Sequence, residues 1–129
     1  MKIFFAVAAA LTLMLGVAWT LFPAPMLSSW GIQADVAAVY MGRRYGGLFF
    51  GYALILWLAR GSESSTARHA IIAGGALVTL VMAALSLFGI LTSVAGSGVW
   101  GAALIEVLLA VGFMGFYVAG TVNARKAAD

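Results

Sequence analysis

Four long apolar stretches, divided by short polar breaks, occupy nearly all of the sequence. The first, Ile3–Phe22, carries no charge and is followed by Pro23 and Pro25. Proline lacks an N–H and its ring clashes with the preceding turn, so the pattern predicts that the helix stops there. The second stretch begins behind Asp35, a residue suited to cap a helix, and runs from Val36 to Ala59. Arg60 and the polar run Gly61–Thr66 close it. From Ala70 to Ile105 there are 36 residues without a charge, too many for one crossing of a bilayer. The turn-forming cluster Ser93–Gly98 divides them, which predicts a third helix over 70–91 and a fourth over 101–122. Asn123–Asp129 reads as a polar tail.

Each predicted helix approaches the roughly 20 apolar residues needed to cross a membrane. The expected fold is therefore all-α: one domain over residues 1–129, a transmembrane four-helix bundle in up-down-up-down order. Composition agrees. Hydrophobic residues make up 64% of the chain and charged residues 9%, against about 45–50% and about 25% in soluble domains. So few charges cannot coat a soluble globule. One competing reading is a cleavable signal peptide, since Lys2, an apolar core and Gly16-Val17-Ala18 have that make-up. The apolar run continues to Phe22, longer than a signal core, so we read it as the first span.

Charge supplies the orientation. An even number of spans places both termini on one side, together with the break after the second helix. That side carries Lys2, Arg60, Arg68, Arg125 and Lys126, whereas Arg43 and Arg44 on the other side lie within a helix. The positive-inside rule then predicts cytoplasmic termini in a multi-pass membrane protein. No basic run interleaved with aromatics suggests nucleic acid as a partner. Trp19, Trp30, Trp57 and Trp100 fall near predicted span ends and read as interface anchors.

The candidate chemistry is sparse. There is no cysteine and one histidine, His69, so no thiolate site or multi-histidine metal site is expected within one chain. His69 itself reads as a residue of the third helix start. Ser28, Ser29, Ser86 and Thr79 have no visible base partner, and Tyr40, Tyr45 and Tyr52 read as packing or interface residues. No catalytic dyad, phosphate loop or metal-ligand spacing is present, so neither an enzyme nor a cofactor is expected.

Three intramembrane charges stand out: Arg43, Arg44 and Glu106. A charge near the bilayer centre costs about 2.5–3.5 kcal/mol even on lenient scales, so such residues find partners or mark function. Arg43 lies seven residues after Val36, and Glu106 five after Gly101. At about 1.5 Å per residue both would sit roughly 7–11 Å into their helices, a depth that allows an ion pair. We expect Arg43–Glu106 as the pair, with Arg44 second or turned toward Asp35 or headgroups. Around the arginines, Gly42, Gly46, Gly47 and Gly51 form two overlapping GxxxG spacings, which predict close helix packing on that face. The charged cluster then either fixes helix register or forms a polar site.

Several of these residues also carry a resemblance. The segments Phe22-Pro23-Ala24-Pro25-Met26-Leu27, Trp30-Gly31-Ile32, Arg44-Tyr45-Gly46-Gly47-Leu48 and Leu104-Ile105-Glu106-Val107 stand in order along the chain. Their pattern resembles small bacterial four-span membrane proteins grouped as a domain of unknown function. That resemblance covers about Met1–Tyr117 and implies a helical bundle with an arginine in the second span and a glutamate in the fourth. It implies a place in the bacterial inner membrane and no activity. In that pattern the segment Arg44-Tyr45-Gly46-Gly47 favours Arg44, whereas helical geometry favours Arg43. A weaker likeness, in architecture and in Leu58-Ala59-Arg60, is to the DoxX type of four-span protein.

Two functions follow as expectations. The first is a non-enzymatic accessory or scaffold subunit, embedded in membrane lipids and joined to a larger membrane complex or to itself as a homo-oligomer. The second is a binder or transporter of a lipid or small amphiphile, using the Arg43, Arg44 and Glu106 site.

Overall fold

The computed structural model describes residues 1–63 and 65–126, with side chains through Val122. Among the described residues there is no strand. Five helices follow in order: α1 (Lys2–Leu21), α2 (Pro23–Ser29), α3 (Val36–Ala59), α4 (Thr66–Leu91) and α5 (Val99–Lys126). The expected cytoplasmic pair Arg125 and Lys126 lies where no side chain is described.

Local chemistry accounts for the helix ends. The Asp35 carboxylate accepts a hydrogen bond from the Ala38 N–H at 2.7 Å and caps α3. Ser65 does the same for α4, accepting from the Arg68 N–H at 3.2 Å. Pro23 departs from expectation. The chain breaks at Phe22 and Pro23 then opens a new seven-residue helix, α2. A first-turn N–H has no intrahelical acceptor in any case, so proline costs nothing at that position. Gly31, at φ +76°, turns the chain out of α2 toward α3.

The long helices form two antiparallel pairs, α1 with α3 and α4 with α5. Glycine allows the first to close. An ideal Cβ on Gly16 would stand 3.3 Å from the Gly46 carbonyl oxygen, and one on Gly42 would stand 3.2 Å from Pro23 Cβ. Within α4, the buried positions Ile72, Gly75, Ala76, Thr79 and Ser86 recur at helical spacing and mark its inward face. The pairs meet in one core that draws on all the long helices: Phe5 and Ala8 of α1, Leu56 of α3, Ile72 and Ala76 of α4, and Phe113 of α5. Phe113 is fully buried, with its ring 4.9 Å from Phe4 and 6.1 Å from Phe5, nearly perpendicular to both. Edge-to-face contact is the favoured aromatic geometry.

At the opposite end the pairs are tied by backbone. The Gly96 N–H donates to the Trp30 carbonyl at 2.7 Å, and the Gly98 N–H to the Ser29 carbonyl at 2.9 Å. No side chain fits this clasp, since a Cβ on Gly98 would lie 2.7 Å from the Ser29 carbonyl oxygen.

Three helices, α1, α4 and α5, are long and apolar enough to cross a membrane. α3 is long enough at 24 residues, but Arg43 and Arg44 lower its hydropathy, so it stands apart from the other three. Much of the outer surface is apolar, including Ile3, Met14, Leu48, Leu58, Leu91 and Val111. A water-soluble monomer rarely shows such continuous apolar cover, whereas a lipid-facing surface requires it.

Candidate functional site

The predicted site residues separate in the structure. Glu106, on the second turn of α5, points between the helix pairs, where Ser86 Oγ of α4 donates a hydrogen bond to its Oε2 at 2.6 Å. Ser86 is buried, and a carboxylate is a strong acceptor for its hydroxyl. Glu106 Oε1 has no hydrogen-bond partner among the described residues. Arg43 and Arg44 are both exposed on α3. Arg44 reaches Tyr40 instead, at 3.4 Å from its hydroxyl and 5.9 Å from its ring centre. The expected Arg43–Glu106 pair is therefore replaced by Ser86–Glu106.

The reason lies in how α3 is turned. Gly42 rests on Pro23 and Trp19, so Arg43 and Arg44 stand level with the end of α1. Tyr45, the next residue, lines one cavity with Glu106, so the level is shared. Arg43 and Arg44 instead lie on the exposed side of α3.

The predicted glycine face also divides. Gly42 and Gly46 are buried against α1. Gly47 and Gly51 are exposed, and an added Cβ at either would meet nothing within 4 Å. Residues one apart on a helix differ by about 100°, so overlapping GxxxG spacings cannot all face one neighbour.

Glu106 forms part of the wall of a cavity of about 80 Å³ shared by α1, α3, α4, α5 and Trp30. Thr12 and Thr79 contribute hydroxyls that donate to their own helix carbonyls, Ala8 and Gly75, each at 2.7 Å. Tyr45 donates to Met82 Sδ at 3.8 Å. The Tyr52 hydroxyl is buried with no partner, close to the bare backbone of Gly75. An unpaired buried hydroxyl is costly, so this wall holds unused hydrogen-bonding capacity. Aromatic rings run along the cavity in sequence: Trp30 to Trp19 at 5.2 Å, Trp19 to Tyr45 at 5.5 Å, and Tyr45 to Phe49 at 4.8 Å, all edge to face.

This arrangement corrects the reading of the tryptophans. Trp19 is buried in the aromatic row and Trp30 is half-buried beside it, so both pack rather than anchor. Trp57 and Trp100 are exposed. His69 sits on the first turn of α4 with its Nδ1 3.0 Å from the Ser65 carbonyl, and its ring fills the space over Gly120 of α5.

Two larger spaces, of about 410 Å³ between α1 and α3 and about 650 Å³ between α4 and α5, have no charged side chain in their walls. They are apolar grooves without chemistry. Among the described residues, no three His, Asp or Glu side chains gather as a metal site.

Ser86 was the residue that sequence reasoning left without a role. The signal was available, because Gly75, Ala76, Thr79 and Ser86 form a stripe of small residues on α4 at spacings of one, three and seven. A small polar side chain on a packed intramembrane face needs a partner on the facing helix. No family model, no curated protein and no solved structure matches the chain.

Proposed function

We propose that this is a four-span protein of the bacterial inner membrane that binds a small amphiphilic ligand in the cavity at Glu106. α3 is the fourth span. Between Arg44 and Arg60 it has 15 uncharged residues, about 22 Å of helix at about 1.5 Å per residue. Arginines at both ends extend that reach, because the aliphatic stem lies in the apolar layer while the guanidinium reaches headgroups. Arg60 already lies over the Trp57 ring at 3.4 Å and donates to the Trp57 carbonyl at 2.5 Å. Antiparallel contact of α1 with α3 and of α4 with α5 supports an up-down-up-down order. Lys2, Arg60 and Arg68 share the terminal end, which supports cytoplasmic termini.

The observation that carries the ligand reading is Glu106 itself. It is a carboxylate with one side-chain hydrogen bond, set in the wall of a cavity between helix pairs. A carboxylate serving only to hold helices together would be expected to use both oxygens. Arg43 and Arg44 belong to a different task, contact with anionic headgroups at the level of Pro23.

The accessory or scaffold reading has its own support in the exposed Gly47 and Gly51, where another helix could approach closely. Native mass spectrometry of the gently extracted protein separates the two. A discrete small-molecule adduct, lost in Glu106→Gln, is expected for a ligand site. A partner-chain increment that survives Glu106→Gln would replace this reading with the scaffold.

A further inference from the structure

We propose that the cavity selects small organic cations, of the alkylammonium class, over anions and neutral molecules. The proposal rests on the reading of the cavity as a ligand site and adds the charge and size of the ligand.

The wall carries one carboxylate, Glu106, and no lysine, arginine or histidine. The nearest candidates by sequence, Arg43 and Arg44, are exposed on α3 and take no part in it. The carboxylate therefore lacks a cationic partner within the cavity. In a site screened from water, a bound cation would gain far more from it than at an exposed position. An anion would meet repulsion there, with only hydroxyls to offset it.

The rest of the wall suits the same ligand. Trp19, Trp30, Tyr45, Phe49 and Tyr52 all line it. Aromatic faces carry negative quadrupole charge and attract ammonium groups, the more so when desolvated. Within the row, Trp19 stands at 84° to both Trp30 and Tyr45, so the rings present faces and edges in turn rather than a closed stack. Met82 adds a polarisable sulfur.

Size narrows the class. A cavity of about 80 Å³ exceeds several-fold the roughly 10–15 Å³ that one water needs on the same measure. That volume suits an ammonium head with a few methyl groups. The backbone clasp of Trp30 and Gly96 closes the end nearest Trp30.

The test uses the full-length protein in neutral detergent, with tryptophan fluorescence reporting Trp19 and Trp30. The probes are the methylammonium series, one to four methyl groups, with tert-butanol as the neutral probe and acetate as the anion, at fixed ionic strength. Saturable binding of at least one ammonium is expected, at least tenfold tighter than tert-butanol, with no response to acetate. Glu106→Gln, which keeps an acceptor for Ser86, should weaken ammonium binding at least tenfold and leave tert-butanol unchanged. Tyr45→Leu keeps the carboxylate and removes a ring. It should also weaken ammonium binding selectively, and it carries the test if the glutamine variant does not fold. Equal affinity for ammonium and tert-butanol, or ammonium binding indifferent to both substitutions, would overturn the cation proposal while leaving a ligand cavity. No response to any probe would overturn the cavity reading as well.

Discussion

Replacing Gly46 by alanine puts a Cβ 2.5 Å from Thr20 Oγ1, 2.8 Å from the Thr20 backbone nitrogen and 3.0 Å from the Trp19 carbonyl carbon. The hydroxyl can rotate away, but the two backbone atoms cannot. Relief requires α1 and α3 to separate, and the same movement loosens Gly16 from Phe50 and Gly42 from Trp19. Overpacking of this kind costs about 1–3 kcal/mol. Alanine also favours the helix over glycine by about 0.8–1.0 kcal/mol, which masks part of that cost. Gly47→Ala removes the ambiguity. It sits on the next residue of the same helix, carries the same propensity gain, and its Cβ meets nothing within 4 Å. The difference between the two variants isolates the clash, and we expect Gly46→Ala to be less stable than Gly47→Ala by about 1–3 kcal/mol. Titration of mixed micelles with a denaturing detergent, followed by tryptophan fluorescence, measures it. Trp19 touches both Gly42 and Trp30 and reports separation of the helices. Equal stability of the two variants would refute the assignment of Gly46 to the α1 contact. A concentration-dependent loss in Gly47→Ala alone would instead place a second chain against that face.

Three further outcomes follow from the packing. Ser86→Ala removes the bond to Glu106 and should cost about 0.6 kcal/mol, the average of intramembrane side-chain couplings, and at most about 1.7 kcal/mol; in a double-mutant cycle with Glu106→Leu the effects should be non-additive, and strict additivity would show that the bond contributes nothing. Tyr52→Phe deletes a buried hydroxyl that has no partner, so the unliganded protein should be unchanged or gain up to about 1 kcal/mol in the same titration, and a clear loss would reveal an acceptor that the structure does not show. Phe113→Ala empties the centre of the Phe4–Phe5–Phe113 cluster and should cost about 3–5 kcal/mol, whereas Phe88→Ala, 63% exposed, should change stability by less than about 0.5 kcal/mol.

The helices themselves were legible because their signals are local. Asp35 caps α3 as its side-chain chemistry predicts, and the turn cluster Ser93–Gly98 separates α4 from α5. What was not legible was facing. In a soluble helix, apolar residues mark the buried side, but lipid and protein interior are equally apolar, so hydrophobicity in α5 distinguishes nothing. Glycine spacing carried the information only in part: Gly42 and Gly46 face α1, and Gly47 and Gly51 do not. The arginines missed Glu106 for the same reason: Tyr45, next to Arg44, lines the cavity with Glu106, while Arg43 and Arg44 turn to the exposed side. The Ser86–Glu106 bond joins residues 20 positions apart across a turn whose geometry the sequence does not specify.

The location of the polar groups follows from how the two helix pairs are built. Within α1–α3, glycine and alanine at positions 8, 9, 16, 42, 46 and 53 are buried and allow close backbone approach. Between the pairs the side chains are large: Phe113 meets Phe4 and Phe5, Tyr45 reaches Met82, and Tyr52 reaches toward Gly75. Large side chains hold backbones apart and cannot tile an irregular seam completely, so the seam is where the cavity remains. It is also where a carboxylate is least exposed to lipid, because both pairs shield it. A hydroxyl on α4 is enough to orient it, and further polar atoms there remain unpaired. The tight pairs thus supply rigidity, while the looser seam, tied at one end by the Gly96 and Gly98 hydrogen bonds and at the other by Phe113, leaves Glu106 one free oxygen. Filling the seam should therefore separate the two roles. Ala102→Leu, in the cavity wall opposite no close-packed glycine, is expected to abolish probe binding while leaving the micelle unfolding midpoint of the α1–α3 contact near that of the parent. Loss of both together would show that the seam, and not the pairs, holds the protein together.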